Sequence, residues 1–260
     1  MSGAPLVVVH RDATLLAQAV AARIITGIVD AQAARGSASI VLTGGGIGGA
    51  TLRELAESPA RDAIDWDQLD IWWGDERLLP AGHADRNETQ AREALLDHVK
   101  LDPARVHPMA PSDGDFGDDL DGAAEGYAAE LRAASRPEDH GPAPSFDILL
   151  LGLGPEGHVA SLFPESPALY DERAVIPVRG CPKPPPTRLS MAMATINTAR
   201  EVWLIAAGEE KATAARLALS GAGATAIPAA GVRGRVATRW LLDGAAASSL
   251  PTSLTRIASP

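Results

Sequence analysis

Apolar residues along the chain gather into short unbroken runs separated by longer amphipathic stretches. The runs at 6–9, 39–43, Leu69–Trp73, 146–151 and 202–206 are each too short for a helix and end in polar or glycine-rich sequence. That pattern predicts strands buried on both faces of a parallel sheet. Between them the spacing is helical. After Asp12, a plausible cap, Leu15, Leu16, Ala19, Val20, Ala22 and Ile24 keep to one helical period. Residues 51–57, 87–99, Leu120–Ala134 and 209–219 read as further helices, the second capped by Asn87 with Leu95, Leu96 and Val99 on one face. Residues 159–163 suggest a short helical turn, 174–178 an added strand, 188–196 a partly alternating segment and 237–242 a last helix. The small, polar tail from Ala245 predicts a frayed end.

Strands alternating with helices predict an α/β fold: a doubly wound, mainly parallel, Rossmann-like sheet with helices on both faces. Residues 111–117 read as a polar loop and 135–145, rich in Pro, Gly and charge, as an exposed connection. The CPKPPP segment at 181–186 excludes helix and central strand, since its prolines lack donors and fix the backbone. It lies within the strand–helix pattern and does not read as a linker. With no internal repeat, residues 1–260 are expected to form a single domain.

Composition narrows the classes. Hydrophobic content of 46% and charged content of 22% describe a globular protein with a sizeable core. No apolar run approaches ~20 residues and the start of the chain lacks a basic-then-apolar pattern, so no membrane partner is expected. The single cysteine, Cys181, excludes an internal disulfide and suits a reducing compartment, which makes the cytoplasm the expected location. Without a neighbouring His or acid in sequence it reads as a bystander thiol. A net charge of −10 argues against nucleic-acid binding but not against a small anion held in a locally basic cleft.

Candidate chemistry centres on 146–164, FDILLLGLGPEGHVASLFP, where a buried strand runs through a glycine loop into His158. An imidazole just past the carboxyl end of a strand sits where open α/β sheets bind ligands, and its pKa near 6.5 suits proton transfer. Residues 44–49 and 152–157 both spell G-x-G-x-x-G. Neither is followed by an acid-ended strand about twenty residues on, so no nicotinamide cofactor is expected. Glycines at 44–49 still suit a phosphate cradle at a helix start. Asp75, Glu76 and Arg77 end the third run, where Arg77 could grip an oxyanion bidentately. Lys183 and Arg188 flank the Pro-Pro-Pro strap and suggest an anion clamp. His83, His98, His107 and His140 show no metal-ligand spacing, and no metal is expected.

Taken together these segments resemble the 6-phosphogluconolactonase family, which shares its fold with glucosamine-6-phosphate deaminase and ribose-5-phosphate isomerase. The likeness spans nearly the whole chain. It rests on Leu42-Thr43-Gly44-Gly45, on Gly74-Asp75-Glu76-Arg77 with Pro80 and Asn87, on the block at 152–164, and on Lys183-Pro184-Pro185 with Arg188. Two positions depart from the family's usual pattern: Gly46-Ile47-Gly48 replaces hydroxyl residues and a proline, and Glu156-Gly157-His158-Val159 stands for Asp-Gly-His-Thr. The resemblance implies hydrolysis of 6-phospho-D-glucono-1,5-lactone, a small sugar phosphate, without a cofactor; a monomer is expected. His158 would be the general base, Arg77 would stabilise developing charge, and Asp75 and Glu156 would orient His158 or hold sugar hydroxyls. Gly44, Gly45, Gly46, Ile47, Arg53, Lys183 and Arg188 would take the phosphate, Arg53 compensating for the missing hydroxyls. Two alternatives stand beside this: a glucosamine-6-phosphate deaminase with Asp75 as base and His158 as ring opener, and a non-catalytic sugar-phosphate sensor. Arg77, where deaminases typically carry an aromatic, weighs against the first. The absence of a basic helix-turn-helix before Leu6 weighs against the second.

Overall fold

A computed structural model of the chain describes residues 4–139, 141, 143–254 and 256–257, which leaves His140 outside the described set. The first strand, β1 (Leu6–His10), leads through Asp12 into α1 (Ala13–Arg35). As expected Asp12 caps that helix, accepting the Leu15 N–H at 2.9 Å. Then come β2 (Ala38–Leu42), α2 (Gly46–Glu57), β3 (Leu69–Trp73), β4 (Asp75–Arg77) and α3 (Asn87–Ala94). A two-residue β5 (Val106–His107), α4 (Leu120–Ala134) and β6 (Ile148–Gly152) follow. The chain continues through β7 (Val175–Val178), β8 (Arg188–Met191), α5 (Met193–Ile196), β9 (Glu201–Ala206), α6 (Ala212–Leu219), β10 (Ala237–Asp243) and β11 (Arg256–Ile257).

Among the described residues, eight strands form one sheet in the order β11-β1-β10-β9-β6-β2-β3-β5. Each of its pairings is parallel. A smaller antiparallel sheet, β4-β8-β7, stands beside it. Both faces of the large sheet are covered, so successive residues of one strand enter opposite cores. In β2, Ile40 and Leu42 pack with Leu16, Ile24 and Leu52 of α1 and α2, whereas Val41 joins Leu131 of α4. The fold class expected from the alternation of runs is the one observed.

By length and composition α1 would suffice to cross a membrane. Here its stripe of Leu16, Val20, Ile24 and Ile28 is buried in the core that α1 shares with α2 and the sheet. Arg23 and Asp30 interrupt the apolar sequence that otherwise reads through it.

Four local expectations are corrected. Residues 237–242 are not a helix but the greater part of β10, a central strand between β1 and β9. Residues 159–163 form a tight turn closed by a Val159–Leu162 bridge, with Ala160 at φ 48°, a left-handed value that a right-handed helix does not admit. The described part of the segment from Ala245 is not frayed: Ala246 and Ala247 are buried, the Ala246 N–H reaches Asp243 Oδ1 at 2.7 Å, and β11 pairs with β1. Asn87 is the first residue of α3 rather than its cap. The helix stops at Ala94, and its N-terminal N–H groups are received by Glu76 from a distance in sequence. In the 135–145 connection, Arg136, Pro137, Glu138 and Gly141 are exposed as expected, whereas Asp139 and Ala143 are buried.

Candidate active site

The carboxyl ends of β2, β3, β6 and β9 all point the same way, as parallel pairing requires, and the segments leaving them meet around a cleft of about 280 Å³. Thr43, Gly44 and Gly45 leave β2, Asp75 and Arg77 follow β3, and Gly154 and His158 follow β6. Lys183 and Arg188 come in from the proline strap, and Lys211 from beyond β9.

His158 is largely buried, stacked on Phe163 with ring centroids 4.3 Å apart. Its Nδ1 lies 3.2 Å from Glu156 Oε1, close enough for an ion pair but not aligned as a hydrogen bond. Nε2 makes no hydrogen bond with the described residues. Burial holds the imidazole below its ordinary pKa, a shift that the Glu156 carboxylate opposes and Lys183 reinforces. The ring comes this close to the loop only because residue 154 is glycine. A Cβ there would sit 1.9 Å from Nδ1.

Glu156 stands between His158 and Lys183, whose Nζ donates to Oε2 at 3.1 Å. Burial acts to raise the Glu156 pKa. The backbone N–H of Glu156 itself, Lys183 and His158 together outweigh that, and the net direction is down. The carboxylate is therefore held in its charged form, beside an imidazole whose own pKa burial keeps low.

Because 75–77 is a strand, its residues alternate in direction. Asp75 and Arg77 line the cleft while Glu76 turns the other way and binds α3. Glu76 accepts the N–H groups of Arg77, Asn87 and Glu88 at 2.7, 2.8 and 2.9 Å, with the buried Arg86 guanidinium 3.8 Å away. Burial pushes its pKa up against the pull of Arg86 and those donors. Asp75 is buried too; its Oδ2 accepts the Ser161 hydroxyl at 2.7 Å and lies 4.0 Å from Arg188. Arg77 donates to the Asp85 carbonyl, and its buried Nε has no partner among the described residues.

The two strap cations differ. Lys183 is partly exposed and pairs with Glu156. Arg188 is not an exposed loop cation but a buried residue of β8. Its guanidinium donates to the carbonyls of Lys183, Pro184 and Pro185 at 3.0, 3.2 and 3.1 Å, so it braces the strap and edges the cleft at once. The Pro184–Pro185 bond in this strap is cis.

The glycine loop also divides. Gly44 and Gly45 line the cleft, whereas Gly46 and Arg53 line an adjoining space of about 610 Å³ that shares Gly45 and Arg77 with it. The Ile47 side chain packs on the α1–α2 core. Only its backbone N–H, one of the unpaired donors in the first turn of α2, is available to an anion.

A sequence model of the family described as glucosamine-6-phosphate isomerases/6-phosphogluconolactonase matches residues 11–240. The chain belongs to this family. A 6-phosphogluconolactonase of Streptomyces coelicolor is 63% identical over 230 residues, 88% of each chain. One of Mycobacterium tuberculosis is 49% identical over 219 residues, 84% of this chain and 87% of the relative. The solved 6-phosphogluconolactonase of Trypanosoma brucei superposes with a TM-score of 0.82 at 30% identity, over 96% of this chain and all of that one. A monomeric glucosamine-6-phosphate deaminase superposes with a TM-score of 0.75 at 21% identity over 94% of this chain and 100% of that one, a likeness of fold alone.

Two cleft residues of this family member, and one buried behind the cleft, were not picked out as site residues from the sequence. Lys211 ends a short turn after β9, where GEEK reads as ordinary helix-start charge. Ser161 falls within the block at 152–164 that carries the resemblance, but its role is not legible there because its partner Asp75 is 86 positions away. Asn87 was legible as a cap and as one of the residues carrying the resemblance, with no role at the site. In the fold its Nδ2 donates to the Asp75 carbonyl at 2.8 Å, and its buried Oδ1 lies unpaired against Gly44. A Cβ on Gly44 would come within 2.0 Å of that oxygen, which is the signal those glycines carried.

Proposed function

We propose that this cleft hydrolyses 6-phospho-D-glucono-1,5-lactone to 6-phospho-D-gluconate in the oxidative pentose phosphate pathway, with His158 as general base. The observation that carries the reading is His158 itself: an imidazole kept neutral by burial, its Nε2 unengaged, in the same cleft as a glycine loop and Lys183. Nε2 takes a proton from water as its oxygen adds to the lactone carbonyl. The tetrahedral oxyanion is met by Arg77 and loop N–H groups, and collapse breaks the bond from the acyl carbon to the ring oxygen. The proton on Nε2 then passes to that oxygen, which leaves as a hydroxyl. A lactone carbonyl is already electrophilic, so base-activated water suffices without a metal or cofactor.

Gly44, Gly45, the N–H groups of Gly46 and Ile47, and Lys183 hold the phosphate, with Lys211 added to the set and Arg53 reaching it from the adjoining space. Arg188 contributes by holding Lys183 in place and by its charge at the cleft edge. Asp75 binds sugar hydroxyls, and Glu156 orients His158. The chain works as a single-domain monomer in the cytoplasm, with a small sugar phosphate as ligand and neither nucleic acid nor membrane as partner. A coupled assay on freshly generated lactone tests this. Wild type should accelerate its loss above spontaneous hydrolysis, and His158→Ala should lower kcat at least ~10²-fold with modest change in KM. Near-normal turnover in folded His158→Ala would remove His158 as base, and ammonia release from glucosamine 6-phosphate would replace the lactonase reading with a deaminase.

A further inference from the structure

At the opposite end of the large sheet, where β2, β6 and β9 begin, lies a second cavity of about 510 Å³, larger than the cleft around His158. Five arginines line it: Arg35, Arg105, Arg136, Arg200 and Arg235. In a chain of net charge −10 this is a local field opposed to that of the whole molecule.

Most of the carboxylates on its wall are engaged. Asp147 receives Arg35 and the Ser39 N–H, and Asp70 receives Arg105 at 2.9 Å. Asp139 is buried and accepts the backbone N–H groups of Arg136 and Ser145 at 2.7 and 3.1 Å. Glu138, the remaining acid, is exposed and makes no ion pair with the described residues. Three guanidinium groups are left under-used. That of Arg136 has no partner among the described residues, that of Arg235 reaches only the Asp139 carbonyl at 3.4 Å, and Arg200 comes no nearer than 3.9 Å to Asp147. The three come from separate segments, the connection after α4 and the turns before β9 and β10, yet line one space. The volume suits a small molecule, and guanidinium forks match phosphate oxygens two at a time.

We propose that this cavity is a second anion site, in which Arg136, Arg200 and Arg235 take a small molecule bearing a phosphate or pyrophosphate group. An occupant would tie the 135–145 connection to the starts of β9 and β10 and stabilise the chain by mass action. The assignment is independent of the chemistry in the cleft.

Inorganic pyrophosphate is the probe, titrated calorimetrically at low salt into the full chain carrying Lys183→Ala, which weakens anion binding in the cleft. One-to-one binding should persist in that background, and adding Arg136→Gln and Arg200→Gln should weaken it at least ~10-fold, since each replacement removes charge-assisted bonds. All three arginines are exposed, so the replacements should leave unliganded thermal stability unchanged. Arg136→Lys, which keeps the charge and loses the fork, provides a milder second variant and should weaken binding several-fold. Absence of binding in the Lys183→Ala background, or equal affinity after the arginines are replaced, would overturn the proposal.

Discussion

Gly154→Ala separates a working imidazole from a histidine that merely packs. The backbone at Gly154 is not among the positive-φ positions, so alanine meets no conformational penalty of its own there. The conflict is confined to the His158 ring, with a new Cβ placed 1.9 Å from Nδ1, 2.2 Å from Cε1 and 2.7 Å from Cγ. Non-bonded contact needs about 3.5 Å, so the ring must withdraw by roughly 1.5 Å from its seat on Phe163. A misplacement of about 1 Å is enough to cost ~10²-fold in a positioned reaction. We expect kcat to fall at least ~10²-fold in the coupled lactone assay while KM stays within ~3-fold, because Lys183 and the glycine loop are untouched. Overpacking should lower stability by about 1–3 kcal/mol in urea unfolding, leaving the protein folded at the assay temperature. A folded Gly154→Ala enzyme with kcat within ~3-fold of wild type would refute the requirement for this imidazole position.

Two further outcomes follow from the same neighbourhood. In Glu156→Gln the larger influence that raises the His158 pKa disappears, leaving only that of Asp75, while burial and Lys183 still lower it. The base is active when unprotonated, so the acid limb of the pH profile of kcat/KM should move to lower pH; a limb that moves up would show that Glu156 does not act on His158 electrostatically. Glu76→Ala strips three N–H groups of their acceptor and leaves Arg86, whose side chain is 0% exposed, without its carboxylate from β4. Breaking a buried pair of this kind should cost about 3–5 kcal/mol in urea unfolding, with Glu76→Gln milder, and a loss below ~1 kcal/mol would contradict the capping role.

The alternation of apolar runs determined the architecture, because a strand buried on both faces must be apolar throughout and the intervening helices carry their own period. It likewise placed His158, Asp75, Arg77 and the Gly44–Gly45 turn at one edge, since parallel strands deliver their carboxyl ends together. Residues 237–242 show where that reading stops: in ATRWLL the half-buried Ala237 and Arg239 alternate with Thr238 and Trp240 only briefly before Leu241 and Leu242 are both buried, and its Ala, Arg and Leu equally suit a helix. Only the tertiary structure decided that Arg188 is a buried brace, that Glu76 caps α3, and that Ser161 meets Asp75. Each of those facts depends on which way a side chain points across contacts distant in sequence. The arginine cavity belongs to the same class, assembled from segments that meet only once the sheet is ordered. Local pattern records what each segment must bury, whereas the partner that satisfies a polar group is chosen by the packing of segments the pattern does not connect.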